Sequence, residues 1–412
     1  MKKNIVLVGT ADTKGDQLQF LRERIAFRGH RAILMDISMG GTGKVKGDIS
    51  PEEIAGSVGK DMAELTASRD RMWVTDIMTQ GAIQTAMKLL SENRLQGIVA
   101  LGGATIALVG SHIMARLPFG VPKIIATPAA MPVYVGRWFV PTDMVVMQMI
   151  MEVAGMNDLV KNALAQVAGA ISGMVEEASD YRRLSLPSPS VAVTELGFSD
   201  ACAKNVERLL MEKGFHVYPF HANGTSDRAM DRLIAQGFFD AVVEIVPAGL
   251  VEAKFKGNRA ADLERLDAAL ERGIPQVWAP CCLNLTGAGP TRHNREKYVA
   301  DGRVLQIDQM RSMTRFPVDE LLEGARMYAE KMNKAKGPIK MVVPLKGWSS
   351  IDREGSILYD PETDRMFIEE LKKNLKTDIA FETVECNLED LPTAEAIVNS
   401  LDEFMKGKFS GD

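Results

Sequence analysis

The run Gly9-Thr10-Ala11-Asp12-Thr13-Lys14-Gly15-Asp16 directly follows the apolar stretch 5–8 and carries the residue types that hold a phosphate, a ribose or a hydrated cation. Thr10 and Thr13 offer hydroxyls, Lys14 a positive charge, and Asp12 or Asp16 a carboxylate for magnesium. A strand that empties into such a turn before a helix presents free N–H groups and the positive end of the helix dipole to an anion. The same residues fit a plainer role, in which Asp12 or Thr13 caps a helix expected over 15–27 and Lys14 points into water.

Three further stretches have this character. Leu101-Gly102-Gly103-Ala104-Thr105 ends an apolar strand and opens a helix; Gly102 and Gly103 let a backbone approach a ligand closely, and Thr105 adds a hydroxyl. Phe220-His221-Ala222-Asn223-Gly224-Thr225 leaves a later strand, so that His221 is a candidate acid or base and Gly224 and Thr225 are candidate ligand contacts. No metal-ligating partner stands two or four residues from His221, which argues against zinc. The long glycine-rich loop 281–293 holds Cys281, Cys282 and His293; Cys281 or Cys282 is a candidate nucleophile with His293 as its base, although small packed thiols are the commoner case. Gly40-Gly41-Thr42-Gly43-Lys44-Val45 imitates a phosphate loop and fails, because Ser38 stands where the first glycine is needed and Val45 where a hydroxyl should hold magnesium.

These stretches need a scaffold, and the chain supplies one. Its 412 residues are 46% hydrophobic and 25% charged, a globular composition long enough for two or three cores. The net charge of −5 and the lack of a basic block exclude an electrostatic footprint for nucleic acid. No apolar run reaches membrane-spanning length, and a strand begins within four residues of the start, so a cytoplasmic location is expected. The four cysteines, Cys202, Cys281, Cys282 and Cys386, match neither a zinc ribbon nor a Cys-x-x-Cys pair, and vicinal Cys281-Cys282 reads as a pair of thiols rather than a bridge.

Apolar β-branched runs alternate with helical patterns throughout, which predicts βαβ units on parallel sheets. Strands are expected over 5–8, 32–36, 97–101 and 123–127, and helices over 16–27, 79–90, 105–114 and 157–178. The alternation of methionines 147, 149 and 151 predicts a half-buried strand. The polar, proline-punctuated stretch 177–190 then separates a first α/β lobe, 1–185, from a second, 190–412. Two Rossmann-like lobes with mainly parallel sheets and a cleft between them is the expected architecture.

Gly9 to Gly15, Gly102-Gly103, Val153-Ala154-Gly155-Met156-Asn157, Phe220 to Gly224, Gly273 to Gln276, Gly289-Pro290 and Arg315 together resemble the signature series of one family. It is the widespread, largely uncharacterised bacterial and fungal family related to the ATP-binding N-terminal region of a tomato protein that inhibits tomato mosaic virus replication. The resemblance spans residues 3–405 and implies two Rossmann-like lobes, a nucleotide such as ATP in or near the cleft between them, and self-association as a homo-oligomer. The sequence departs from the pattern at 104–106, 126–131, 247–249 and Asn284, which favours a divergent ligand.

Two functions are then expected. In the first, Gly9, Thr10, Lys14, Gly102, Gly103 and Thr105 cradle phosphates and the output is a conformational change or a partner interaction. In the second, a cofactor-free enzyme acts on a small phosphorylated or carboxylated metabolite. There Lys14 and Arg315 hold the anion and His221 is acid or base, assisted by Asp143 or Cys282.

Overall fold

The computed structural model describes residues 2–40, 43, 45–131, 139–178, 180 and 185–409. The chain divides into two compact α/β units, Met1–Leu184 and Ser185–Asp412, and the division falls inside the polar stretch 177–190.

In the first unit, β1 (Asn4–Gly9), β2 (Arg31–Asp36), β3 (Gly97–Leu101), β4 (Lys123–Thr127) and β5 (Val145–Gln148) form a parallel sheet in the order β2-β1-β3-β4-β5. Strands β3 and β4 are buried along their whole length, because helices cover both faces of the sheet; this is why they read as unbroken apolar runs. Ile5, Leu7, Val99 and Ile124 pack on one face with Leu18, Leu21 and Ile25 of helix Ala11–Phe27 and with Val160 and Leu164 of helix Asp158–Glu177. Val6, Val8, Ile98 and Ile125 pack on the other, against helices Pro51–Ser57, Arg71–Ser91 and Ala104–Arg116.

Some elements differ from expectation. Helix Ala11–Phe27 starts four residues before Gly15, so Asp12, Thr13 and Lys14 stand in its first turn, with a kink at Lys14 (φ −124°, ψ 21°). Helix Arg71–Ser91 extends back to the Asp70 side chain, which accepts from Trp73 N and caps it. Of the alternating methionines only Met147 lies in a strand, the short edge strand β5, which ends before Met149 and Met151. Residues 41, 42 and 44 of the phosphate-loop imitation lie outside the described residues; Gly43 packs against the start of helix Ala11–Phe27, where a Cβ would stand 2.7 Å from Ala11 O.

The second unit continues the strand series with β6 (Ser190–Glu195), β7 (His216–His221), β8 (Ala241–Glu244), β9 (Gln276–Trp278), β10 (Leu285–Gly287), β11 (Leu305–Gln306), β12 (Ser312–Arg315), β13 (Ile339–Pro344) and β14 (Ala380–Val384). Six of them make a parallel sheet in the order β14-β13-β9-β8-β6-β7. The remaining three, β10-β12-β11, form a small antiparallel sheet that the sequence patterns did not announce; β10 lies inside the expected long loop 281–293. Both parallel sheets begin in the same way. The second strand lies on one side of the first and the third on the other, so the chain reverses direction at β1/β3 and at β6/β8. Open α/β sheets bind ligands beyond the carboxyl ends of the strands at such a reversal.

Candidate functional site

At the β1 exit, the start of helix Ala11–Phe27 is already engaged from within the chain. Asp36 Oδ1 accepts from Ala11 N at 3.0 Å, Ser38 N at 3.0 Å and Ser38 Oγ at 2.5 Å, and Ser38 Oγ accepts from Asp12 N at 3.2 Å. Asp36 and Ser38, missed in the sequence, therefore take two of the N–H groups that were expected to meet a ligand. Thr10 and Thr13 bind each other through their hydroxyls at 2.6 Å. Lys14 Nζ donates to Val153 O, and Gln17 Nε2 to Gly155 O at 2.7 Å. The signature stretch 153–157 is thus a structural latch: Gly155 turns at φ +65°, and the Asn157 side chain caps helix Asp158–Glu177. Asp12 keeps one carboxylate oxygen buried and without a hydrogen-bond partner, whereas Asp16 is exposed. Gly9 is required for packing, since a Cβ there would lie 2.9 Å from the Leu18 methyls.

The β3 exit next to it is different. Gly103 is the N-cap of helix Ala104–Arg116, and among the described residues no side chain caps that helix. Ala104 and Thr105 are exposed, so first-turn N–H groups, which have no acceptor inside a helix, face open space. Gly103 has φ −73° and nothing within 4 Å of where its Cβ would be. Its lack of a side chain answers neither strain nor crowding. Gly102 is a packing glycine, because its Cβ would meet Ile106 at 2.7 Å.

In the second unit the equivalent exits are filled by the protein itself. Arg265, fully buried, donates to both oxygens of Glu244 at 2.8 and 2.6 Å and to Asp231 at 2.8 Å, with Asp227 at 3.6 Å. Glu244 ends β8 and also accepts from Thr194 Oγ1 of β6 at 3.0 Å. Burial pushes the Asp231 carboxyl up to about 7 despite Arg265, and raises that of Glu244. Gly249 backs onto Asp227, whose Oδ2 would be 2.8 Å from an added Cβ, and Tyr328 Oη donates to Pro247 O at 2.9 Å. Glu389 accepts from Ala201 N and Cys202 N, both at 3.2 Å, and so covers the start of helix Asp200–Glu212. The signal for this cluster was available as a lone carboxylate inside the apolar run 241–246.

The remaining candidates fall out as follows. Arg315 is 4% exposed; its guanidinium donates to Leu358 O and Thr363 Oγ1, both at 2.8 Å, and pairs with Asp352 and Asp364. Both terminal nitrogens of Arg315, expected to hold an anion, are thus engaged inside the fold, where Asn284 also bridges Asp352 and Asp364 at 2.8 Å each. Asp143 belongs to the first unit and serves a structural role, accepting from the buried Lys123 Nζ at 2.7 Å, Gly120 N at 2.7 Å and Thr142 Oγ1 at 2.9 Å. His221 is exposed at the end of the edge strand β7. Gly224 occupies a turn at φ +85° where a Cβ would meet Ala260 O at 2.4 Å, and Thr225 N donates to Asn223 Oδ1 at 2.9 Å. Cys282 is fully buried beside Cys281 and Arg259, not beside the exposed His293. Among the described residues no three His, Cys, Asp or Glu side chains are grouped to hold a metal ion, and no helix is long and apolar enough to cross a membrane.

Two parallel sheets, each reversing at its first strand and flanked by helices, define a two-unit Rossmann-like α/β protein. The chain belongs to the uncharacterised protein family UPF0261: the N-terminal domain of that family matches residues 3–180 and its C-terminal domain residues 188–405. It is 28% identical over 410 residues to a UPF0261 protein of Clostridium tetani, covering 98% of this chain and 100% of that one. It is 27% identical over 425 residues to the ToMV resistance protein Tm-1(GCR237) of Solanum lycopersicum, covering 96% of this chain and 55% of that protein. A solved structure, UDP-GlcNAc 2-epimerase of Methanocaldococcus jannaschii with UDP-GlcNAc and UDP, covers 100% of both chains at 11% identity with a TM-score of 0.22, too low for a likeness of fold or ligand.

Proposed function

We propose that the first unit binds a phosphate-bearing small molecule of the nucleotide type at the β3 exit. The observation that carries this reading is the uncapped, exposed first turn of helix Ala104–Arg116 at the point where the sheet reverses. Unpaired N–H groups and the helix dipole act together on an anion there. The Thr105 hydroxyl stands beside them, and the open space at Gly103 leaves room for a ligand against the backbone. Asp12, with its unpartnered oxygen, supplies the acceptor for magnesium or for a sugar hydroxyl. Lys14 contributes its charge by exchanging Val153 O for a phosphate oxygen. ATP with magnesium fits this donor set, and what it would bring is a polyphosphate for the N–H groups and a cation for Asp12. The implied self-association is part of the same proposal and is read by light scattering of the full chain with and without nucleotide.

The test is titration calorimetry and thermal shift on the full chain with ATP, ATP plus magnesium, inorganic phosphate, sugar phosphates and keto acids. A ligand of the folded state raises the unfolding midpoint in step with its saturation. Binding of a phosphate-bearing compound that is lost in folded Gly103→Val supports the site. Binding only of keto acids transfers it to a carboxylate substrate, and equal binding by the variant removes the β3 exit from the site.

A further inference from the structure

At the β9 exit of the second unit the chain places two thiols side by side. Cys281 donates to Cys282 Sγ across 3.7 Å, and Cys282 holds a left-handed backbone at φ +59°, which a non-glycine residue adopts only when its surroundings enforce it. The Arg259 guanidinium lies against the Cys282 thiol, and also donates through Nη2 to Glu252 Oε1 at 2.9 Å and to Leu285 O at 3.2 Å. Glu252 Oε2, Arg259 Nε and Arg259 Nη1 are buried there without hydrogen-bond partners. Both sulfurs and Glu252 are fully buried, while the Arg259 side chain keeps 15% of its surface in solvent and is the part of the cluster that reaches water.

We propose that Cys282 is a peroxide-reactive thiolate and Cys281 its resolving thiol, forming a reversible vicinal disulfide when the protein meets hydrogen peroxide. The thiolate sulfur attacks one oxygen of HOOH, the O–O bond breaks, and Cys282 sulfenic acid and hydroxide result. The Cys281 thiol then attacks the sulfenic sulfur; an S–S bond forms, and water leaves with the Cys281 proton. The net change is one thiolate, one thiol and one hydrogen peroxide to one disulfide, one water and one hydroxide.

The two thiols are polarised for these separate roles. The hydrogen bond from Cys281, with the positive charge of Arg259, brings the Cys282 thiol down to about 7 against burial and the opposing Glu252 carboxylate. Burial raises Cys281 well above the ordinary thiol range and keeps its proton. Cys202 gives the contrast within the same core: it is buried without a guanidinium and is also pushed far up. Adjacent Cα atoms are about 3.8 Å apart, closer than the roughly 4.4–6.8 Å of an ordinary disulfide, so the bridge is strained and readily reduced.

The experiment is a hydrogen peroxide time course on the full chain near neutral pH, stopped by alkylation under denaturing conditions, with each cysteine followed by peptide mass spectrometry. Cys282 is expected to react well over tenfold faster than Cys202, whose thiol burial keeps protonated, and faster than Cys386. The product is a 281–282 bridge that dithiothreitol reverses, and dimedone labels Cys282 in Cys281→Ser. Arg259→Gln is expected to slow the reaction several-fold. Equal rates at Cys202, Cys282 and Cys386, or reaction of Cys282 only after urea unfolding, would overturn the proposal; this rate comparison needs no variant to fold.

Discussion

The two units start their sheets in the same order and treat the same place in opposite ways. Beyond β3 the first unit leaves a helix N-terminus uncapped and in solvent. Beyond β8 the second unit groups the buried Asp227, Glu244 and Arg265 with the half-buried Asp231, and at the β6 exit it seals the next helix with Glu389. Exposed N–H groups cost little while water satisfies them, so an open exit can wait for an anion. A buried carboxylate has no such recourse and needs its cation within the fold. Shared topology therefore offers two crevices, and the side chains at the strand ends decide which one remains open.

The strongest blow to this contrast is Arg265→Met, which leaves three carboxylates without their cation. It is expected to destabilise the second unit by about 3–5 kcal/mol, read as an earlier urea transition in the fluorescence of the buried Trp278 and Trp348. A loss below about 1 kcal/mol, the scale of an exposed pair, would mean that the cluster does not hold that exit closed. On the open side, Gly103→Val fits the existing φ and meets no neighbour, so the fold should persist. Phosphate affinity should fall by about 3 kcal/mol, two charge-assisted hydrogen bonds of about 1.5 kcal/mol each. Calorimetry on the folded variant decides it.

Lys14→Ala sharpens the picture by separating latch from ligand. Binding is expected to weaken by about 1–2 kcal/mol and stability by about 1 kcal/mol, because the bond to Val153 O is lost as well. Affinity unchanged by calorimetry, with only the melting temperature lowered, would leave Lys14 as a latch alone.

The closed exit should also be felt through pH. Asp231 in the folded state is raised to about 7, above its unfolded value near 3.9, so the folded protein binds the extra proton between them. The stability associated with that proton is complete below about 4 and is lost as pH rises through about 7. Urea midpoints of the second unit should fall over that interval, and less so in Asp231→Asn; identical slopes would place the titration elsewhere. The smallest effect belongs to His221→Asn. Exposed at an edge strand, it should change stability by no more than about 0.5 kcal/mol in thermal melts. Any change in binding or turnover by that variant then reports chemistry rather than folding.

Much of the scaffold was legible because it depends on local pattern. The β-branched runs at 5–8, 97–101 and 123–127 are continuous as only strands covered on both faces are, and Asn157 announces a helix start through its own side chain, whereas the start at Asp70, nine residues before the expected one, was missed. The glycines at 102 and 103 marked the β3 exit for the same reason. What the sequence missed at the site came from distant partners: Asp36 and Ser38 reach back to the start of helix Ala11–Phe27, and Val153 O takes Lys14 from 139 residues away.

Residue types and periodicity by themselves determined that this chain builds parallel α/β sheets and where strands release loops, since burial on two faces and helix capping act within a few residues. Only the tertiary structure decided which charged groups stay available. Arg315 and Lys14 read alike as anion holders in the sequence, yet one is enclosed by Asp352 and Asp364 and the other lies half-buried on a carbonyl. Cys282 gained its guanidinium from Arg259, and Glu244 its own from Arg265, through chain crossings that no local pattern records. The physical reason is that the strength of a charge depends on desolvation and on partners brought together by the fold, and neither is a property of the residue alone.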